Sequence, residues 1–477
     1  MKTLSVSAPL RALGGVASGL ICAVCSAADV TWISSTADQF WRAMPAPALE
    51  QSAPSAPPQV HVSTRRPFQT MEGFGGCFNE AGWVALSNAS DADRKQAIEA
   101  LFGDEGAAFT RARLPIGASD FALDAYSLTD TPDDLELRDF SLARDSRHLI
   151  PFVEAAMAVR PGLECWGSPW SPPAWMKTNK SYSRGSLRWE PAILRAYALY
   201  FARWIEAYRA QGIPIYAVAP QNEPNILSPY PSCLWTGEQL REFIADYLGP
   251  TLRDRKSNVE LWLGLNGDPV NGGENINDRL LTVMEDPKAS AFIDGVAYQY
   301  DSRNQTAVAS QLYPNKKFMQ SETVCNKGDN TWDDAQRLYG LIKRHVEGGA
   351  GSYFAWNMIL DDTGMSTWNW RQNALITVDR KTGKVTYNGE YHVMRHFSRF
   401  VKPGAKRVLS TGVWGDHIAF KNPDGSVVAV VGNSSANTHA FTLSVGGRGK
   451  NDTLRVTLPP RSINTFVIAP GAAPKGA

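Results

Sequence analysis

The stretch IPIYAVAPQNEPNI, residues 213–226, decides the fold, because an apolar run passes abruptly into polar residues. The run at 213–219 is short and apolar, which is typical of a buried strand. Asn222 and Glu223 follow it closely, and Pro224 cannot continue a regular ladder of hydrogen bonds. A buried strand that ends in an amide and a carboxylate is typical of a reactive group at the carboxyl edge of a parallel sheet.

The same pattern recurs 99 positions later, where the run KFMQS leads into Glu322. Eight strand candidates of this kind occur, at residues 70–76, 110–116, 163–168, 215–220, 260–265, 293–299, 317–321 and 351–357. Helix candidates lie between them, for example at 91–103, 236–252 and 331–349. Eight strands that alternate with helices over roughly 330 residues predict an α/β fold, the (β/α)8 TIM barrel. A doubly wound open sheet is the competing arrangement.

The pattern of apolar and polar residues changes near residue 405, which predicts a second domain. From there apolar and polar residues alternate between closely spaced turn signals, which indicates an appended antiparallel β-sandwich. Residues 29–44 are a candidate further strand, and the Pro-rich stretch 45–58 is typical of a surface linker. The predicted division is a signal peptide at 1–28, an N-terminal segment and linker of the sandwich at 29–66, the barrel at 67–402 and the C-terminal sandwich at 403–477.

The N-terminus is typical of an export signal. Lys2 and Arg11 precede an apolar stretch at 12–24, and small residues at 26–28 favour cleavage before Asp29. The sequence therefore predicts a secreted or periplasmic protein without an integral membrane segment after signal removal. A formal net charge of +1 gives no basic field for nucleic acid. The oligomeric state stays open.

Four cysteines remain after signal removal, Cys77, Cys165, Cys233 and Cys325. In an exported chain they allow two disulfides with three connectivities, and the sequence does not choose between these and free thiols. Their spacing is not that of a zinc site. We therefore expect neither a metal nor a cofactor.

Glu223 and Glu322 are expected to face each other across the mouth of the barrel. They end the fourth and seventh predicted strands, and the reactive groups of such barrels stand at the C-terminal ends of strands. Two facing carboxyl groups, one protonated and one ionised, are the equipment for cleaving a glycosidic bond. The 15 Trp and 15 Tyr residues supply rings on which sugars stack.

Several longer segments resemble glycoside hydrolase family 30, in particular its glucosylceramidase branch. They stand in the family's order, with QNEPN at 221–225 and FMQSETVC at 318–325 around the two glutamates. The other similar segments are ASDFALDAYSLTDTPDDLELRDFSLARD at 118–145, GSPWSPPAWMKTN at 167–179, YPSCLWTGEQLREFIADYLGPTL at 230–252 and EYHVMRHFSRFVKPGAKRV at 390–408. The resemblance extends from about residue 68 to about residue 410.

The resemblance implies a retaining mechanism with a covalent glycosyl-enzyme intermediate. Glu223 would be the general acid/base and Glu322 the nucleophile, and Asn222 would bond the sugar 2-hydroxyl. The remaining implied site residues are Asp120 for outer hydroxyls, Arg113 as a charge that supports the acid/base or the nucleophile, Trp170 and Trp356 as walls of the glycone pocket, and Tyr300 as a partner of the nucleophile. Tyr298 is the competing candidate for that last position.

The loops that form subsite walls depart from the family. Gln221, the segment 225–235 and the segment 358–379 have their own composition, so ceramide recognition does not follow from the resemblance. The leading hypothesis is a metal-independent retaining β-glycosidase, exo-acting on β-glucoside-like substrates. An endo-β-1,6-glucanase or another glycanase of the family is the alternative enzyme, and a non-catalytic carbohydrate-binding protein is the alternative of another class.

Overall fold

The computed structural model describes most of the chain. The described residues are 30–50, 57–265, 275–300, 302–323, 326–446 and 451–470. The expected signal peptide, part of the linker and Cys325 lie outside the described residues, so export stays a prediction.

Eight parallel strands close into a barrel, which confirms the predicted fold class and excludes the open sheet. The strands are β4 (Gly73–Cys77), β5 (Arg111–Pro115), β6 (Glu164–Ser168), β7 (Ile215–Val218), β8 (Glu260–Leu265), β9 (Gly295–Gln299), β10 (Lys317–Thr323) and β11 (Ser352–Asn357). Glu223 therefore follows the fourth barrel strand, β7, and Glu322 lies near the end of the seventh, β10. These positions bring both carboxyl groups to the C-terminal face of the barrel.

Helices follow the barrel strands and cover the barrel. They are α1 (Glu80–Leu86), α2 (Asp91–Phe102), α3 (Leu149–Val159), α4 (Pro191–Ala210), α5 (Gly237–Glu242), α6 (Gly249–Asp254), α7 (Ile276–Met284), α8 (Pro287–Phe292), α9 (Arg303–Leu312), α10 (Trp332–Glu347) and α11 (Gly389–Ser398). The predicted helix at 331–349 begins where the Thr331 side chain accepts a hydrogen bond from the Asp334 amide. No helix within the described ranges is both long and apolar enough to cross a bilayer.

The predicted helix at 236–252 is interrupted. A π-helical segment, Phe243–Leu248, separates α5 from α6. Pro250 has no amide hydrogen, so the carbonyl of Asp246 cannot receive its usual α-helical hydrogen bond. A wider turn before the proline is one way for the chain to accommodate this loss.

Nine strands form the second domain, in one sheet that folds over itself into two layers. The strands are β1 (Val30–Ser35), β2 (Arg42–Ala43), β3 (Val60–Thr70), β15 (Lys406–Thr411), β16 (His417–Lys421), β17 (Val427–Asn433), β18 (His439–Gly446), β19 (Asn451–Leu458) and β20 (Ser462–Ile468). Their order is β19-β18-β3-β15-β16-β17-β20-β1-β2. Phe441 of β18 stacks on Phe466 of β20 with ring centroids 6.3 Å apart, which joins the two layers. All neighbouring strands run antiparallel except β3 and β18.

The first and last described strands, β1 and β20, both belong to the sandwich, and both contact the barrel. The β1 strand pairs along its whole length with β20, from Val30 opposite Ile468 onward. His396 of α11 lies buried between the two, with its ring nitrogens 2.9 Å from Ser35 Oγ and 2.8 Å from Thr465 Oγ1. Burial lowers the pKa of His396 to about 3, so its imidazole is uncharged at neutral pH.

A small third sheet lies on the excursion that follows the eighth barrel strand. It consists of β12 (Ile359–Asp361), β13 (Ile376–Val378) and β14 (Val385–Tyr387). The segment 362–372 follows β12 and leads towards β13; it is called the mouth loop below. The sheet therefore anchors a long loop beside the barrel mouth.

Candidate active site

A bulge in β10 directs Glu322 into the barrel mouth. Met319 packs inside the barrel, so strict alternation would bring Ser321 to the inner face. The pairing between β10 and β9 instead shifts between Gln320 and Glu322, and Glu322 stands opposite Gln299. The extra residue thus turns the carboxylate towards the other inner side chains.

Arg113, the third residue of β5, connects the two halves of the site. Its guanidinium donates from Nη1 to Glu322 Oε2 at 2.6 Å and from Nη2 to Asn222 Oδ1 at 2.5 Å and to Ser168 Oγ at 2.8 Å. Arg113 is almost wholly buried. The resemblance left open whether Arg113 supports the acid/base candidate or the nucleophile candidate. In the structure one guanidinium does both, because it binds Glu322 and also Asn222, the neighbour of Glu223.

Two residues at the end of β9 complete the shell around Glu322. Tyr300 donates from Oη to Glu322 Oε1 at 2.9 Å, while Gln299 Nε2 lies 3.3 Å from Glu322 Oε2 and 2.8 Å from Asn222 Oδ1. Tyr300 has a left-handed backbone, φ 47°, which is uncommon for a bulky residue. Tyr298 is buried elsewhere, and its hydroxyl has no hydrogen-bond partner among the described residues. The structure thus places Tyr300, and not Tyr298, on the carboxylate.

The two carboxyl groups have different surroundings. Burial raises the pKa of Glu223 well above its ordinary value, and the charges of Glu322 and Asp120 raise it further. Burial also raises the pKa of Glu322, but Arg113 and the Tyr300 hydroxyl oppose that rise. The cation and the donated hydrogen bonds favour the ionised form of Glu322, whereas Glu223 is the carboxyl group that keeps a proton.

Asp120 lies deep in the site with one oxygen unpaired. Its Oδ2 accepts a hydrogen bond from Trp356 Nε1 at 3.3 Å, and its Oδ1 is buried without a partner among the described residues. Trp356 stacks on Trp170 at 5.0 Å, and the Arg113 guanidinium lies 4.6 Å from the Trp170 ring centroid. Both indoles are buried, so in this structure they hold Asp120 and Arg113 in place rather than present an open face.

Sequence reasoning missed three residues of the site, Ser168, Gln299 and Tyr230. Ser168 and Gln299 each end a barrel strand, which is the signal that could have found them. Tyr230 lies in the loop after β7 and places its hydroxyl 3.4 Å from Glu223 Oε2. No spacing in the sequence distinguishes it from other loop tyrosines.

The described residues offer no metal cluster and no disulfide. No group of three or more His, Cys, Asp or Glu side chains in the described ranges could hold a metal ion. Cys77, Cys165 and Cys233 are free and buried. The sequence allowed three ways of pairing four cysteines into two disulfides. Each of them needs one disulfide among Cys77, Cys165 and Cys233, and the structure shows no such bond. Cys325 lies outside the described ranges.

Replacing Arg113 by Met is expected to lower kcat/KM by about 100-fold, because charge-assisted hydrogen bonds to Glu322 and Asn222 are worth about 1.5–3 kcal/mol each. Arg113 lowers the pKa of Glu322, so its loss raises that pKa. A nucleophile must be ionised, and the acid limb of the kcat/KM profile should therefore move to higher pH. Arg113→Lys, which keeps the charge, should move it less. An unchanged acid limb in the Met variant would contradict this position for Arg113.

Two family models match the chain over most of its length. The model described as "Glycosyl hydrolase family 30 TIM-barrel domain" matches residues 71–401, and the one described as "Glycosyl hydrolase family 30 beta sandwich domain" matches residues 404–466. The two matched ranges meet between the barrel and the sandwich strand β15. The matches thus reproduce the two-part architecture of the chain.

Curated relatives and solved structures agree with these matches. The lysosomal acid glucosylceramidase of Mus musculus is 28% identical over 85% of this chain and 82% of its own length. The endo-1,6-β-D-glucanase of Neurospora crassa is 27% identical over 77% of this chain and 80% of its own. The solved structure of the endo-β1,6-glucanase BT3312 superposes with a TM-score of 0.83 at 26% identity, covering 92% of this chain and 99% of that one.

Proposed function

From the premise that this chain belongs to glycoside hydrolase family 30 and is a retaining glycosidase, we propose that it is an exo-acting β-glucosidase with Glu322 as nucleophile and Glu223 as acid/base. The observation that carries the assignment of roles is the asymmetry around the two carboxyl groups. Glu322 receives hydrogen bonds at both oxygens, including one from a cation, whereas the Tyr230 hydroxyl is the one side-chain partner recorded for Glu223 among the described residues. Export, predicted from residues 1–28, is part of the same proposal.

The first step forms an ester between Glu322 and the sugar. The ionised Glu322 attacks the anomeric carbon as the bond to the leaving oxygen breaks. Glu223 donates its proton to that oxygen, and the leaving group departs as an alcohol. Tyr300 and Arg113 hold the attacking carboxylate in one orientation, which reduces the entropic part of the barrier.

The second step hydrolyses the ester. Glu223, now ionised, takes a proton from a water molecule as the water oxygen bonds to the anomeric carbon. The bond between the sugar and Glu322 breaks, and both carboxyl groups return to their starting protonation. Two inversions at one carbon give net retention of configuration.

Asn222 and Asp120 are the groups that would bind the sugar hydroxyls. Asn222 Oδ1 is fixed by Arg113 and Gln299, so its amide is oriented before the substrate binds. The unpaired Asp120 Oδ1 costs free energy while it has no partner, and a sugar hydroxyl can supply the missing hydrogen bond. Both relatives are named for substrates that contain glucosyl residues, which supports glucose as the glycone.

A second candidate is an endo-acting β-1,6-glucanase. The fungal relative and the solved structure of BT3312 both carry that description, and the latter covers nearly the whole of this chain. The catalytic chemistry is the same in both cases. The difference lies in whether the substrate extends beyond the glycone on both sides.

The test is a panel of p-nitrophenyl β-glycosides (gluco, xylo, fuco, galacto and glucurono) beside a β-1,6-glucan polymer. We expect rapid release from the β-glucoside and slow release of glucose from polymer ends. Cleavage within the polymer, with no release of p-nitrophenol from any aryl glycoside, would overturn the exo assignment and favour the glucanase. Inactivity on the whole panel would overturn the proposed substrate class.

A further inference from the structure

The mouth loop, residues 362–372, reaches across the opening of the barrel. It follows β11, the eighth strand, and its Trp370 ring lies 6.4 Å from the ring of Tyr230, which follows β7, the fourth strand. These two strands are diametrically opposite in the closed barrel. The two rings, inclined at 52°, therefore form an aromatic bridge between opposite rims of the mouth.

Hydrogen bonds fix the mouth loop on two sides. Arg371 donates to the carbonyl oxygens of Gly328 at 2.9 Å and Thr363 at 3.1 Å, and it pairs with Asp329. Thr367 Oγ1 lies 3.0 Å from the carbonyl oxygen of Leu123. The loop on either side of Trp370 is thus held in position, so a ligand that stacks on the indole has little loop-ordering cost to offset.

The position of Trp370 relative to Glu223 identifies what it can contact. Tyr230 joins the two, since its hydroxyl is bonded to Glu223 and its ring touches Trp370. Glu223 is the group that gives its proton to the leaving oxygen, so the leaving group lies on this side of the scissile bond. Trp370, in contact with Tyr230, keeps 45% of its surface exposed, whereas Trp170 and Trp356 are buried.

We propose that Trp370 is a platform for the leaving group and that the leaving group it selects is a pyranose ring. This inference rests on the proposed glycosidase function and specifies its leaving-group side. The C–H face of a sugar stacks on an exposed indole, while its hydroxyls require polar neighbours. Two polar residues, Asn369 and Arg371, flank Trp370 in the sequence, and Arg371 pairs with Asp329 at 3.1 Å.

The test compares three donors that share a glucosyl unit and differ in the leaving group. Gentiotriose loses a sugar, octyl β-glucoside loses an alkyl alcohol, and β-glucosyl fluoride loses fluoride. For Trp370→Ala we expect kcat/KM to fall about tenfold with gentiotriose, the effect of about one stacked ring. With the alkyl glucoside and the fluoride it should stay within about twofold.

Two variants serve as controls. Trp370→Phe retains a ring and should recover most of the gentiotriose activity. Met365→Ala removes another exposed apolar side chain of the same loop, 44% exposed, and should leave all three reactions unchanged.

Three outcomes would overturn the inference. Unchanged gentiotriose hydrolysis in Trp370→Ala, with fluoride hydrolysis intact, would refute the platform and leave the glycosidase function standing. A loss confined to octyl β-glucoside would show that the loop selects an alkyl chain and not a sugar. Inactivity of the wild-type enzyme toward all three donors would overturn the proposed function, and the platform with it.

Discussion

Replacing Glu322 by Gln is expected to lower kcat by on the order of 10⁴-fold or more, with the fold retained. An amide is too weak a nucleophile to form the glycosyl ester. The Gln carbonyl oxygen can still accept the hydrogen bond from Arg113, and its NH2 group can donate to the Tyr300 hydroxyl oxygen once that hydroxyl turns, so the side chain keeps its place. Turnover should be measured with 2,4-dinitrophenyl β-glucoside, whose leaving group needs no protonation, so that the loss reports the nucleophile alone.

Mass spectrometry after incubation with 2-deoxy-2-fluoroglucosyl fluoride separates loss of the nucleophile from loss of structure. The wild-type protein should gain the mass of one fluorosugar on the peptide that contains Glu322, and the variant should gain none. Glu99→Gln, on the exposed face of α2, is the matched control and should behave as wild type. Label on a different carboxylate would refute Glu322 as the nucleophile.

Replacing Glu223 by Ala is expected to lower kcat/KM on alkyl or oligosaccharide glucosides by about 10³-fold, because general acid catalysis contributes about 10²–10⁴-fold. The loss should be small for β-glucosyl fluoride, since fluoride leaves without a proton. Hydrolysis of the ester then lacks its general base, and a burst of fluoride followed by a slow phase should appear. Azide, which needs no base, should restore the slow phase and give a β-glucosyl azide.

The pH profile gives a further readout of the same variant. Burial and the neighbouring carboxylates raise the pKa of Glu223, so the wild-type enzyme should keep its activity on alkyl glucosides above the ordinary titration range of a carboxylic acid. Activity is then lost as the pH rises through that pKa and Glu223 gives up its proton. Glu223→Ala should lack this alkaline limb. An equal loss on all leaving groups would contradict Glu223 as the acid.

The barrel strands were predictable because burial on both faces leaves continuous apolar runs. The prediction at 260–265 matches β8, Glu260–Leu265. The prediction at 317–321 ended too early, since the bulge after Gln320 carries β10 on to Thr323. A bulge depends on how the neighbouring strand pairs, which the local sequence does not record.

The placement of Glu223 and Glu322 at the barrel mouth was predictable for a different reason, since each stands in a polar motif at the end of a strand; their catalytic roles stay predictions. Gln299 stands at the end of a strand too, but an amide alone carries no chemical signal of catalysis. The contact between Tyr230 and Trp370 joins residues 140 positions apart through two irregular loops. Loop geometry of this kind is set by distant contacts such as those of Arg371, so no local pattern predicts it.

The pairing of β1 with β20 has a consequence for synthesis of the protein. Val30 pairs with Ile468, which the ribosome adds 438 positions later, so this pairing cannot form until synthesis is almost complete. At translation rates of about 5–20 residues per second, that delay is roughly 20–90 s. During this interval the apolar side of β1, with Val30 and Trp32, has no β20 to pair with, while the intervening barrel can already fold. Strand β1 is therefore made first but gains its β20 partner only near the end of synthesis. Until then the edge of β1 that pairs with β20 is open, and holdase chaperones can protect it.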